Sequence, residues 1–269
     1  MDYENILYEK KDKVAKITLN RPEKLNALSQ DLLAEFRHVL DTIDDSEDVT
    51  VVLITGAGGR AFSTGFDLGK ATRRSDDEWW RRVKLNFDSL MRVWDLRQPV
   101  IAAVNGYAVA AGCNLAFICD MCVAADNAMF GEPEIRHFAL APFMLFPWVT
   151  GFNKKLHELY YTGDSIDALE AERFGLVNKV VPLDKLQEEA EALAQRVAMV
   201  HSFPLQLTKR SIKKSYEIMG FKDAQDYHRS LDTYLLSAQL PEKDAIMNVL
   251  YSQGLRAFLE VRDGPFAKR

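Results

Sequence analysis

Cysteine is scarce: the 269 residues include three, Cys113, Cys119 and Cys122. An odd, clustered trio makes a poor disulfide framework and points to a reducing compartment. Cys119 and Cys122 form one C-x2-C pair, but no two further ligands stand at zinc-like spacing, so they read as small buried apolar residues. No apolar run approaches the ~20 residues of a spanning helix. The opening Met1-Asp2-Tyr3-Glu4-Asn5 lacks the basic start and apolar centre of a secretory leader. The expectation is therefore a cytoplasmic protein with no membrane partner. Positive charge is not in excess either: 34 Lys+Arg stand against 39 Asp+Glu, a net charge of -5. The most basic stretch, Lys209, Arg210, Lys213 and Lys214, reads as a solvated helix face, and no nucleic-acid partner is expected. With 14 Gly and 9 Pro the chain is neither collagen-like nor of low complexity.

What is present is an ordinary globular composition, 48% hydrophobic and 27% charged, enough apolar surface to offset chain entropy. Residues 14–19 alternate and are rich in β-branched side chains, which predicts a strand. Ser29 caps a predicted helix running to about Asp45, with Leu32, Leu33, Phe36, Val39, Leu40 and Ile43 on one face. Residues 49–55 form a near-continuous apolar run, as in a buried parallel strand. A long helix is predicted from Ser75 to Leu96, with Asp76 and Asp77 in its first turn and Pro99 beyond its end. Strands are predicted at 99–104, 121–125 and 128–130, and a short helix at 110–118. From about Asn153 onward the pattern is helical, with 177–181 as an extended exception. Strand and helix alternate first and helices follow, which predicts an α/β core with a helical section covering it or reaching a neighbour.

Three stretches have chemical potential. In Asn105-Gly106-Tyr107-Ala108-Val109-Ala110-Ala111-Gly112-Cys113-Asn114, a strand ends and a helix begins among small residues. Free N–H groups there could meet developing negative charge; tight helix–sheet packing explains the small residues equally well. In Ala61 to Leu68, Gly65 stands beside the N–H of Phe66, though a loop glycine is the plainer account. In Phe130 to Phe138, Glu132 and Glu134 lie beside His137 and ahead of an apolar stretch. Either carboxylate near apolar walls suits proton transfer. The alternative is a surface acid paired with Arg136, and a structural role for His137. Gly56-Ala57-Gly58-Gly59 lacks the ending of a phosphate loop. Ser63, Ser165 and Ser202 have no nucleophile-elbow setting.

Taken in order, these stretches resemble the enoyl-CoA hydratase/isomerase family, the crotonase superfamily, over nearly the whole chain. Residues 20–28 look like its N-terminal signature, 61–68 like its first oxyanion-hole loop and 99–120 like its central signature. Residues 130–135 are similar to the segment with a catalytic glutamate, and 253–260 to the C-terminal helix motif. The resemblance implies a crotonase-like spiral of repeated ββα units over about 1–200. It implies a helical C-terminal region, 201–269, for trimerisation and for covering the active site. It implies an acyl-CoA thioester substrate and a homotrimer or dimer of trimers. Coenzyme A enters only as part of the substrate, with no metal or other cofactor needed. Glu134 would be the acid/base, Asn114 would position substrate or water, and the N–H groups of Phe66 and Ala111 would hold the thioester oxygen. Substrate contacts would fall on Lys24, Ala27, Ala61, Asp67, Leu68, Gly112, Phe138 and Phe143.

Two departures refine this. The family's hydratases keep two glutamates, and the place of the first is held here by Asn114, which cannot take up or release a proton at neutral pH. One glutamate suits double-bond isomerases, aromatic hydratase–lyases and some C–C bond hydrolases. Phe138 stands where the family commonly has Gly, and bulk follows it at Phe143 to Trp148. An apolar or aromatic acyl group is therefore expected, unless these side chains pack into the core. A non-catalytic member binding CoA thioesters or RNA is the reading from another class, and Glu134 and the acidic pI oppose it. Tyr234 and Tyr251 are open candidates for a site, this chain's or a neighbour's.

Overall fold

The computed structural model describes residues 3–69, 74–151 and 154–267; Met1, Asp2 and Asn153, used in the sequence reading, lie outside them. The strands are β1 (Ile6–Lys11), β2 (Val14–Leu19), β3 (Val51–Gly56), β4 (Ala61–Ser63), β5 (Val100–Val104), β6 (Tyr107–Val109), β7 (Met121–Ala125), β8 (Met129–Gly131), β9 (Ser165–Asp167) and β10 (Lys179–Val181). The helices are α1 (Gln30–Asp44), α2 (Asp76–Asp95), α3 (Ala111–Ile118), α4 (Phe146–Thr150), α5 (Lys154–Thr162), α6 (Ala168–Arg173), α7 (Leu186–Ala198), α8 (Ser202–Ile218), α9 (Phe221–Ser237), α10 (Pro241–Gln253) and α11 (Leu255–Asp263).

Six strands form one sheet in the order β1-β2-β3-β5-β7-β10, parallel except for the β1–β2 hairpin. The short strands β4-β6-β8-β9 form a second sheet. Each turn of the spiral therefore sends a long strand to the first sheet and a short one to the second. The central strands of the large sheet are apolar throughout because both faces are covered. Val52, Ile54, Val100, Ala102 and Ala124 join α1–α3 in the main core. Val51, Leu53, Ile101, Ala103 and Val123 face Leu186, Ala190, Ala194 and Ala198 of α7. That four-residue spacing in α7 is one helical stripe.

The helix signals in the sequence act as expected. Ser29 Oγ accepts the Leu32 N–H at 3.2 Å, and Ser75 forms a reciprocal capping box with Glu78. The strands β1, β4, β6 and β9 were not predicted. Three of them have only three residues, too few for a two-residue alternation to register.

Two asparagines knit the loops that carry the site. Asn26, fully buried, donates to the carbonyls of Ala57 (2.9 Å) and Ala61 (2.8 Å) and accepts the Arg21 N–H at 3.0 Å. Asn105 accepts the Gly56 N–H at 3.1 Å and donates to Gly56 O at 3.0 Å. Arg21 then reaches Ala27 O (2.7 Å) and Asp67 Oδ2 (2.9 Å), tying the N-terminal signature to the loop after β4.

Candidate active site

The chemistry-bearing loops leave adjacent strands of the second sheet: β4 leads to Phe66, β6 to α3, and β8 to Glu132 and Glu134. The chain pairs Leu28 with Phe66 as a parallel bridge, in which Leu28 N–H bonds to Gly65 O and Asp67 N–H to Leu28 O. The N–H of Phe66 itself points away from that bridge. Ala111 is the first residue of α3, where helix N–H groups have no intrahelical acceptor. Neither N–H has a protein acceptor among the described residues.

The two loops meet closely because of two glycines. A methyl group at Gly65 (φ +88°) would lie 2.7 Å from Ala110 Cβ and 3.1 Å from Ala111 N. One at Gly112 would lie 2.1 Å from Ser63 O. Ala110 adopts φ 56°, ψ -133°, a conformation costing an L-residue about 1–3 kcal/mol, and this turns the following peptide at the head of α3.

Glu134 lies in a 3-10 turn (Pro133–His137) directly after β8 and is buried. Arg136 does not pair with it or with Glu132; it bonds Asp164 at 2.6 Å and Asp263 at 3.4 Å. The surface-acid account of the two glutamates therefore fails: both are internal. Glu132 Oε1 accepts from Asn114 Nδ2 at 2.5 Å. Its other oxygen and Glu134 Oε2 have no conventional donor, and the two carboxyls lie within hydrogen-bonding reach of each other. Burial raises both carboxyls above the usual carboxylate range, Glu132 further, with the neighbouring Glu134 charge adding to it. Burial holds His137 neutral, down to about 3.

A cavity of about 950 Å³ receives Glu134, His137, Phe66 and Ala110 in its wall. Of the residues proposed from sequence, Lys24, Ala27, Phe66, Asp67, Leu68, Glu134 and Phe138 line it. Ala61, Ala111, Gly112, Asn114 and Phe143 do not. Ala61 and Gly112 are spent on packing β4 against β6 and α3. Phe143 is fully buried and stacks on Phe87, which does line the cavity, with centroids 4.5 Å apart. Asn114, also fully buried, uses its Nδ2 on Glu132 and its Oδ1 on the Phe143 N–H at 3.1 Å. Its amide is thus committed to the protein, which corrects the expectation that it positions substrate or water. Tyr251 lines the cavity, whereas Tyr234 is 76% exposed.

The sequence reading passed over the face of α9. Gln225, His228 and Asp232, spaced three and four apart, are all buried. Gln225 bonds both the N–H and the carbonyl of Met144, each at 3.1 Å. His228 Nε2 bonds Ala141 O at 2.7 Å, and Asp232 Oδ1 accepts the Leu140 N–H at 2.9 Å. This stripe fixes the segment following Glu134, and Asp232 lines the cavity. Three polar residues at helical spacing in an otherwise mixed helix were the available signal. Arg82 of α2 was also unread: it is half-buried, lines the cavity, and has no ion-paired acid among the described residues. Among the same residues no three potential metal ligands cluster and no helix is long and apolar enough to cross a membrane.

Comparison with known proteins bears on this geometry. The family model described as enoyl-CoA hydratase/isomerase matches residues 9–269. A crotonyl-CoA hydratase of Syntrophomonas wolfei is 33% identical over 272 residues, covering 100% of both chains. A short-chain-enoyl-CoA hydratase of Clostridium acetobutylicum is 34% identical, covering 81% of this chain and 84% of its own. The crystal structure of an enoyl-CoA hydratase/isomerase from Xanthobacter autotrophicus Py2 superposes with a TM-score of 0.94 at 37% identity, covering 99% of this chain and 100% of that one.

Proposed function

Because the chain belongs to the enoyl-CoA hydratase/isomerase family of enzymes, we propose that it transforms an acyl-CoA thioester through its enolate, with Glu134 moving the proton. The N–H groups of Phe66 and Ala111 would hold the thioester oxygen. The observation that carries this is one cavity lined by Phe66 and by a buried carboxyl that forms no ion pair, beside a loop junction where the Phe66 and Ala111 N–H groups have no protein acceptor among the described residues. Fixed donors of this kind stabilise charge that appears only as the α-proton leaves or a nucleophile adds; each is worth roughly 2.7–4 kcal/mol of barrier. The acyl group is apolar or aromatic: Phe87, Phe138, Val109 and Leu236 line the cavity. The reading brings with it a cytoplasmic homotrimer or dimer of trimers. Exposed Phe203, Ile218, Tyr227 and Tyr234 on α8 and α9 offer apolar surface for such association.

The test is a panel of trans-2- and trans-3-enoyl-CoA thioesters, from short aliphatic to aromatic, with conjugation and product mass followed together. Glu134→Gln should lower turnover roughly 10²- to 10⁴-fold with thioester binding retained. Unchanged turnover removes Glu134 from the mechanism. A second reading, C–C bond hydrolysis of a ring-bearing acyl-CoA, is favoured by the unpartnered Nδ1 of neutral His137 in the cavity wall. It would add the mass of water to the product, as hydration does, but would leave a cleaved ring or chain.

A further inference from the structure

We propose that Asp232 is a second acid/base group of this site, serving the β-carbon while Glu134 serves the α-carbon, so that the enzyme adds or removes water. The inference rests on the enolate reading above.

Asp232 and Glu134 line the same cavity from separate walls, Glu134 from the turn after β8 and Asp232 from α9. Asp232 is 8% exposed. Its Oδ1 is anchored by the Leu140 N–H, which sets the carboxyl's direction. No cation pairs with it among the described residues. Arg229, one turn earlier, pairs with Asp226 and lies over Trp80 and Phe87; Arg262 pairs with Asp263; Lys243 is bound by the carbonyls of Leu235, Leu236 and Ala238. A buried carboxyl without a cation is costly, and a helix that needed only an acceptor for Leu140 could use an amide. The charged or titratable groups around the pair include Glu132, Arg262, His137, His228, Arg229, Lys243 and Arg82. Burial pushes Asp232 up to about 7, so both charge states are accessible near neutrality.

Water addition needs two proton transfers at two carbons. As water oxygen bonds to the β-carbon, its proton passes to the Asp232 carboxylate. The double-bond pair moves into the thioester, whose oxygen is held by the Phe66 and Ala111 N–H groups. The Glu134 carboxylic acid then protonates the α-carbon. Asp232 ends protonated and Glu134 ionised, and one proton relayed from the first to the second restores the site. Asn114 supplies neither proton, because its amide is bound to Glu132 and Phe143.

Asp232→Asn keeps an oxygen for Leu140 and removes the proton acceptor. Two rates are measured on the full chain: hydration of a trans-2-enoyl-CoA, and exchange of the α-protons of a saturated acyl-CoA with D2O. Exchange needs Glu134 but no β-carbon chemistry. The expected result is hydration reduced roughly 10²- to 10⁴-fold, exchange within a few-fold of the parent, and an undiminished melting temperature. Full hydration by D232N overturns the proposal. So does parallel loss of exchange, which would make Asp232 a support for the loop, and so does a parent enzyme that exchanges but never hydrates. Glu134→Gln separates the two levels: if E134Q still exchanges, the enolate reading itself fails, whatever D232N does.

Discussion

Asn114 Nδ2 donates to Glu132 Oε1 at 2.5 Å, inside the protein and behind the cavity wall. Asn114 thus orients a carboxyl that itself lies within hydrogen-bonding reach of Glu134.

This pairing predicts a stability effect rather than a binding effect. Asn114→Ala strands Glu132 Oε1 and the Phe143 N–H in the core, at about 1–3 kcal/mol each. Denaturant unfolding should show that loss, while the KM for thioesters changes little. Asn114→Asp should be worse, because it sets a second carboxyl directly against Glu132.

Phe138 closes the Glu134 turn in the left-handed conformation, φ 62°, ψ 44°. That geometry costs a side-chain-bearing residue about 1–2 kcal/mol and is the one glycine accepts freely. Phe138→Gly should therefore not destabilise the turn. It should enlarge the cavity and shift kcat/KM between aromatic and short acyl groups, which competition between two thioesters measures.

Lys24 and Arg82 line the cavity without ion-paired acids among the described residues. Lys24→Ala and Arg82→Ala should raise KM for CoA thioesters by several-fold at low ionic strength and less in salt, since exposed charges are screened over about 8–10 Å. A salt-independent effect would argue against phosphate contacts.

Stability should also report the cavity carboxyls. Asp232 binds its proton more tightly folded than unfolded, rising from 3.8 to about 7 through burial. Its favourable contribution is full below pH 3.8, declines as pH rises, and is gone above about 7; that loss is of the order of a few kcal/mol. Glu134, also raised by burial, acts in the same direction. Asp232→Asn should thus gain melting temperature over the parent at pH 8, and less than half as much at pH 5.

Much of the framework was legible because its signals are repeated along the chain. Apolar runs marked β3 and β5, and Ser29 and Ser75 marked helix starts within one residue. Glu134, Phe66 and Lys24 came from local motifs, and each lines the cavity. Asn114 shows the limit: its position in a motif was readable, but the direction of its amide depends on Glu132 and Phe143, eighteen and twenty-nine residues away. Asp232 lies farther still, on a helix whose stripe of Gln225, His228 and Asp232 makes sense only once the backbone of Leu140 to Met144 is beside it.

The cavity wall joins distant parts of the chain. Lys24 and Arg262 border the same space, with Glu134 near the midpoint of the chain between them. The burial that raises the Glu134 carboxyl is completed by a wall that includes Asp232, Met247 and Leu259, about a hundred residues or more downstream, so the C-terminal helices set the environment of a carboxyl held by the strand core.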